Sequence, residues 1–134
     1  MSEIVDFVHH GAAYISPNVL EKILHQLPMW KAEFTQIEAP KYPHLVDQLE
    51  FLADAVEDFA EGAYKDLPYI AAAEAAFAII YAHKKIDIIP DSVPGLGRAD
   101  DSSIARAVLI QYEKYFCEYA DRRGFDWSTI THEP

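Results

Sequence analysis

The chain has a single cysteine, Cys117, so no disulfide can form within it and nothing in its composition calls for an oxidising compartment. Basic residues are scarce too. Against 22 Asp and Glu there are 11 Lys and Arg, a formal charge of -11. Binding to a phosphate backbone depends on clustered cations that release counterions, so no nucleic-acid partner is expected. The same field repels anionic lipid surfaces and speeds encounter with cations and basic proteins. Long apolar runs are missing as well. The most apolar stretch, residues 71–82, is interrupted by Glu74 and falls well short of the roughly 20 residues that cross a bilayer. No membrane insertion is expected. Residues 1–10 carry Glu3 and Asp6 where an export leader would be basic, with no apolar core and small-residue cleavage site after them. The expected location is therefore the cytoplasm.

Other absences narrow the chemistry. His9, His10, His25, His44 and His132 have no zinc-ligand spacing with cysteine. The Gly95-Leu96-Gly97 step lacks the third glycine and the preceding strand of a dinucleotide loop, and no Gly-Lys-Ser/Thr is present to cradle phosphate. No segment alternates like a half-buried strand, no repeat recurs, and no linker rich in Gly or Ser divides the chain.

What is present is an ordinary globular composition, 51% hydrophobic and 25% charged over 134 residues. A chain of this size buries roughly two-thirds of the surface it exposes when unfolded. The expected fold is all-α: one domain over residues 1–134, a bundle of about five helices with an ordered Pro/Gly/Asp loop before the last long helix. Ile4, Val5, Phe7 and Val8 suggest a short first helix ending near Gly11. Ser16-Pro17 is a helix start, since the Ser oxygen accepts an orphan amide and Pro tolerates the first helical position. That helix is expected to reach about Leu27, with Pro28 ending or kinking it and residues 29–37 adding a turn or two.

After a break at Lys41-Tyr42-Pro43, Leu45, Leu49, Leu52, Val56 and Phe59 recur at helical spacing up to the neighbourhood of Gly62. Asp66 and Pro68 open an alanine-rich helix whose cationic end is His83-Lys84-Lys85. A last long helix starts near Asp101 or Ser102, carries Ile104, Val108, Tyr112, Tyr115 and Tyr119 on one face, and stops at Gly124. The tail is expected to dock through Trp127 and to be partly disordered from about residue 128. Eight tyrosines and two tryptophans serve a core or an oligomer interface equally well, so the composition dictates no oligomeric state.

The loop at 86–101 is the most distinctive segment. Pro90 and Pro94 push Ile89 and Val93 toward extended geometry, and Gly95 and Gly97 open backbone angles closed to other residues. The run Asp87-Ile88-Ile89-Pro90-Asp91, then Pro94-Gly95, then Asp100-Asp101 resembles the signature of the YkvA-like family, a bacterial and archaeal domain of unknown function. The usual extent of such a domain would cover roughly residues 67–116. Ser92, where large apolar residues are common, and Arg98-Ala99 depart from that pattern. With the charged helices around them they weigh against the membrane association that many relatives suggest. The resemblance implies no activity, substrate or catalytic residue.

Several groups of residues invite a functional reading. Asp87, Asp91, Asp100 and Asp101, with His83 one helical turn before Asp87, are the ligand types of a hard divalent cation. Their spacing matches no calcium loop, and capping of helices and loop amides is the stronger expectation. Asp47, Glu50, Asp54, Glu57, Asp58 and Glu61 fall within about one-third of their helix's circumference at roughly 100° per residue, with no Lys or Arg among them. Like charges at this spacing mildly oppose the helix, so the stripe reads either as a solvated face or as a surface for a basic partner.

Glu74 is the one charge between Leu67 and His83 and is expected to be buried or to reach a Lys, Arg or Tyr hydroxyl. Cys117 is expected beside Lys114 and Arg106, in a mildly electropositive setting. The leading expectation is a non-enzymatic module that binds a basic protein through the acidic stripe, like an inhibitor, immunity-type or adaptor protein. The second is a metal-binding protein or metal-dependent enzyme built on the aspartate loop. No cofactor is expected apart from a divalent cation in that second case.

Overall fold

Residues 2–84 and 99–130 are described by the computed structural model. Within them the chain forms α1 (Ser2–Ala12), α2 (Pro17–Phe34), α3 (Leu45–Ala60), α4 (Tyr69–Lys84), α5 (Ala99–Gln111), α6 (Glu113–Arg123) and a one-turn α7 (Trp127–Ile130), with no strand. The all-α bundle expected from the sequence is what is found, with more helical segments than expected. Among the described residues no helix is long and apolar enough to cross a membrane.

The centre is α4, packed against α1, α2, α3 and α5. Its alanines make this possible. Ala71, Ala72, Ala73, Ala75, Ala76, Ala78 and Ala82 are all buried, and small side chains on every face let neighbouring backbones approach from several sides. Helix α3 is the second inner element. Leu45, Leu49, Leu52 and Val56 are buried as their spacing predicts, Ala53 and Ala55 are buried with them, and Phe51 packs against Phe116 of α6 and Trp127 of α7.

Two boundaries differ from the sequence reading. Helix α2 is not ended by Pro28 but continues to Phe34. Its apolar stripe, Leu20, Ile23, Leu27, Trp30 and Phe34, steps by three and four residues across the proline, and all five are buried. Pro28 faces solvent, where water satisfies the carbonyl its ring leaves unbonded. Burial on the opposite face outweighs the local defect. The last helix, expected to be continuous, breaks at Tyr112, whose φ of -120° and ψ of 32° lie outside the helical region. No Gly or Pro marks the break. It is held by tertiary contacts: the Tyr112 hydroxyl bonds to Glu74 on α4, while Phe116 and Tyr119 beyond it turn onto Phe51 of α3.

The end of α6 directs the chain back toward α3. Gly124 takes the left-handed conformation (φ 76°), and the Phe125 amide bonds back to the Ala120 carbonyl at 2.8 Å, which stops the helix and reverses the chain. Phe125 then meets Phe51 and Tyr119 edge-on. The Asp126 carboxylate accepts from the Ser128 amide at 3.0 Å and from its hydroxyl at 2.7 Å, starting α7. Trp127 packs on Phe51, and Ile130 is buried. The described chain ends with this turn of helix at Ile130.

Candidate functional site: an acidic groove beside α3

Of the six acids, Asp47, Glu50, Asp54, Glu57 and Asp58 lie in α3 and Glu61 caps its end, and the structure divides them. Lys31 of α2 places its ammonium 2.6 Å from Asp54 and 3.0 Å from Glu57. Burial works against that ammonium, but the hydrogen bonds and charges of the two carboxylates outweigh it and raise its pKa. Asp58 is buried. It accepts the Tyr119 hydroxyl at 2.5 Å and is paired with the Arg123 guanidinium. Burial, and then the Asp58 carboxylate, push the Tyr119 phenol far above its ordinary value. Three acids that look available in sequence are therefore engaged by cations from α2 and α6.

Asp47 and Glu50 are different. Among the described residues neither forms an ion pair. Both line, with Asp54, a groove of about 340 Å³ whose other side is Gly124, Phe125 and Asp126. The buried residues Phe51 and Ile130 form its base. Burial first, and then the like charges of Asp47 and Asp54, raise the pKa of Glu50, against the opposing pull of Lys31. The Ser128 hydroxyl and amide lower that of Asp126. The groove is thus a concave, negatively charged surface over a buried apolar base.

The raised pKa of Glu50 makes its ionised form a mild liability at neutral pH. A carboxyl whose folded value is raised stabilises the fold below its unfolded pKa, and loses that contribution as pH rises through the folded value. Glu50→Gln should therefore raise stability at pH 7 by roughly a few tenths of a kcal/mol. Below about pH 4 the gain should vanish, as thermal melts at the two pH values would show. A loss of stability at pH 7 would contradict the assignment.

The remaining candidates lie elsewhere in the fold. Asp87 and Asp91 lie outside the described residues. Asp100 and Asp101 sit in the first turn of α5, 4% and 2% exposed, where the helix dipole favours carboxylates. The Tyr81 hydroxyl donates to Asp100 at 3.2 Å. A separate carboxylate trio, Glu57, Asp58 and Glu61, offers ligand atoms within 4.8 Å of one another, but Lys31 and Arg123 already neutralise two of its members.

Glu74 is buried, accepts the Tyr112 hydroxyl at 2.8 Å and stands 3.1 Å from His9. Among the partners foreseen for it, a tyrosine hydroxyl is the one used. Burial and the Glu74 carboxylate push the Tyr112 phenol up. Tyr112→Phe should cost about 1.5 kcal/mol, the scale of a hydrogen bond to a charged group, seen as a lower urea midpoint. No change would mean that His9 alone satisfies Glu74. The Cys117 thiol is pushed up by burial and by Glu113, so its setting is not the electropositive one expected, and its neighbours do not activate it.

The groove's far side is the part that sequence reasoning missed. Gly124 was legible as a helix stop and Trp127 as an anchor, and the Asp126-Trp127-Ser128 cap was a signal that the chain turns back toward α3.

Comparison with known families bears on a different part of the chain. Residues 71–105 match the family model described as "Protein of unknown function (DUF1232)". That match spans α4 and the first turns of α5, including Glu74, Asp100 and Asp101, and is narrower than the extent expected from the loop signature. The DUF1232 match reaches neither α3 nor the α6–α7 turn, so the groove lies outside it. No curated protein and no solved structure matches the chain.

Proposed function

We propose that this protein is a non-enzymatic interaction module that binds a basic protein partner through the acidic flank of α3, as an inhibitor, immunity-type or adaptor protein does, and that it works in the cytoplasm. We also read its matched segment as YkvA-like, from the loop signature. The observation that carries the binding reading is that Asp47 and Glu50 have no ion pair among the described residues, although Lys31 and Arg123 pair with Asp54, Glu57 and Asp58 on the same flank. A pair of carboxylates outside any ion pair, on a chain of charge -11, draws basic surfaces in and orients them.

A lysine octapeptide is a suitable first probe, titrated at low salt. Asp47→Lys with Glu50→Lys should weaken it by about tenfold or more, while Glu3→Lys with Glu21→Lys, which changes net charge equally, should weaken it far less. Equal losses in the two variants would show only a diffuse field and refute the flank as a surface.

A second reading keeps a divalent cation at the aspartate loop, favoured by the burial of the adjacent carboxylates Asp100 and Asp101. It predicts a rise in melting temperature with calcium, magnesium, manganese or zinc after chelator treatment, lost in Asp91→Asn. A flat response to all four ions would discard it.

A further inference from the structure

We infer that Glu33 of α2 and His83 of α4 share a first-row transition-metal ion of the zinc type, held where the two helices meet. The observation that carries this is an orphaned ring nitrogen. The Nδ1 atom of His83 stands 3.1 Å from the Glu33 carboxylate, yet it is buried and has no hydrogen-bond partner among the described residues. The distance suits a hydrogen bond and the direction does not. His9 and Glu74 show the other case, the same kinds of atom at the same 3.1 Å joined by a hydrogen bond. Two ligands of one tetrahedral zinc ion, each roughly 2.0–2.1 Å from the metal, stand roughly 3.3 Å apart without pointing at each other. The Glu33 oxygen lies close to that range from Nδ1.

The surroundings favour a cation there. His83 lies in the last turn of α4, where the carbonyl end of the helix dipole attracts positive charge. Trp30, buried on α2, stacks on the imidazole with ring centres 4.4 Å apart and planes 22° from parallel, which fixes the plane in which Nδ1 offers its lone pair. The indole N–H of Trp30 is itself buried without a hydrogen-bond partner among the described residues, a second orphan in the same stack. Orphaned polar atoms are rare in protein interiors and mark places where water or an ion belongs. One imidazole and one carboxylate suit zinc, cobalt, nickel or copper, whereas calcium and magnesium take oxygen ligands. The half-exposed Glu33 keeps the site open to solvent, so water completes the coordination. The pair has only His83 in common with the aspartate loop and needs neither that loop nor the acidic flank.

The test adds zinc chloride to the full chain after chelator treatment and follows the backbone amides and the tryptophan indole N–H signals by NMR. Zinc should move the signals of Trp30, Glu33 and His83, the Trp30 indole among them, while calcium and magnesium at the same concentration move none of these. Glu33→Gln should weaken zinc binding by about fivefold and His83→Gln by about tenfold or more. His25→Gln, at an exposed position of α2, controls for the loss of a histidine and should leave the affinity unchanged. Should His83→Gln fold poorly, Glu33→Gln decides alone. Changes centred on His9 and His10 or on Glu57, Asp58 and Glu61, or an affinity that neither variant alters, would overturn the assignment. So would zinc binding that Asp91→Asn abolishes and Glu33→Gln leaves intact, since the ion would then belong to the aspartate loop.

Discussion

Replacing Asp58 by alanine should lower stability by about 2–3 kcal/mol and the melting temperature by on the order of 10 °C. The carboxylate joins two helices at one point. It lies on α3, accepts the hydroxyl of Tyr119, which is fully buried on α6, and holds Arg123 at the end of that helix. Leaving the Tyr119 hydroxyl without its acceptor accounts for most of the expected loss, about 1–3 kcal/mol. Arg123 is 45% exposed, so screening limits its share to at most about 1 kcal/mol.

The cause can be isolated by removing the orphan. Adding Tyr119→Phe to Asp58→Ala should cost almost nothing further, whereas the same change in the native background should be clearly destabilising. A double variant whose loss equals the sum of the singles would show that Asp58 acts otherwise. Because Gly124 and Phe125 come directly after Arg123, the Asp58 variant should also loosen the far side of the groove and weaken cationic probes.

Gly11→Ala should destabilise by about 1–2 kcal/mol, against the direction that helix propensity alone predicts. Gly11 lies within α1, where alanine is ordinarily the better helix former by about 1 kcal/mol. Here a methyl group would stand 2.1 Å from Cε1 and 2.5 Å from Cδ1 of the Phe77 ring on α4. Such overlap forces the ring or the helix aside, at a cost toward the upper end of the roughly 1–3 kcal/mol typical of overpacking. The two terms separate in a cycle. With Phe77→Ala in place, Gly11→Ala should become neutral or stabilising, as a urea midpoint would report. Stabilisation in the native background would mean that α1 does not dock closely on α4.

The difference between what could be read from the sequence and what could not tracks the range of the interactions. The buried stripe of α3 was visible because Leu45, Leu49, Leu52 and Val56 encode it locally, and the Ser16-Pro17 start was visible because the Ser16 hydroxyl accepts from Val19, three residues on. Pro28 misled because its local cost is outweighed by Leu27, Trp30 and Phe34 packing on the far face of the same helix. The break at Tyr112 was hidden because its causes, Glu74 and Phe51, lie far away in sequence.

The acidic stripe shows the same limit. Its residues and its helical face were legible, but the division between engaged and unengaged acids depends on Lys31 and Arg123, which approach from other helices. The groove itself exists only because Gly124 turns the chain back beside α3.

The most direct test of the claim that this flank receives a basic partner tracks the side-chain carboxyl carbon of Glu50 through a pH titration, first in the free protein and then saturated with the lysine octapeptide. Alone, Glu50 should titrate above the ordinary glutamate value, because burial and the charges of Asp47 and Asp54 oppose its ionisation. A cation seated beside it reverses that balance, so its pKa should fall on binding, with tighter binding at neutral than at acidic pH as linkage requires. A Glu50 titration that is the same with and without the peptide would contradict the account, since a basic partner held on this flank cannot leave that carboxylate unaffected.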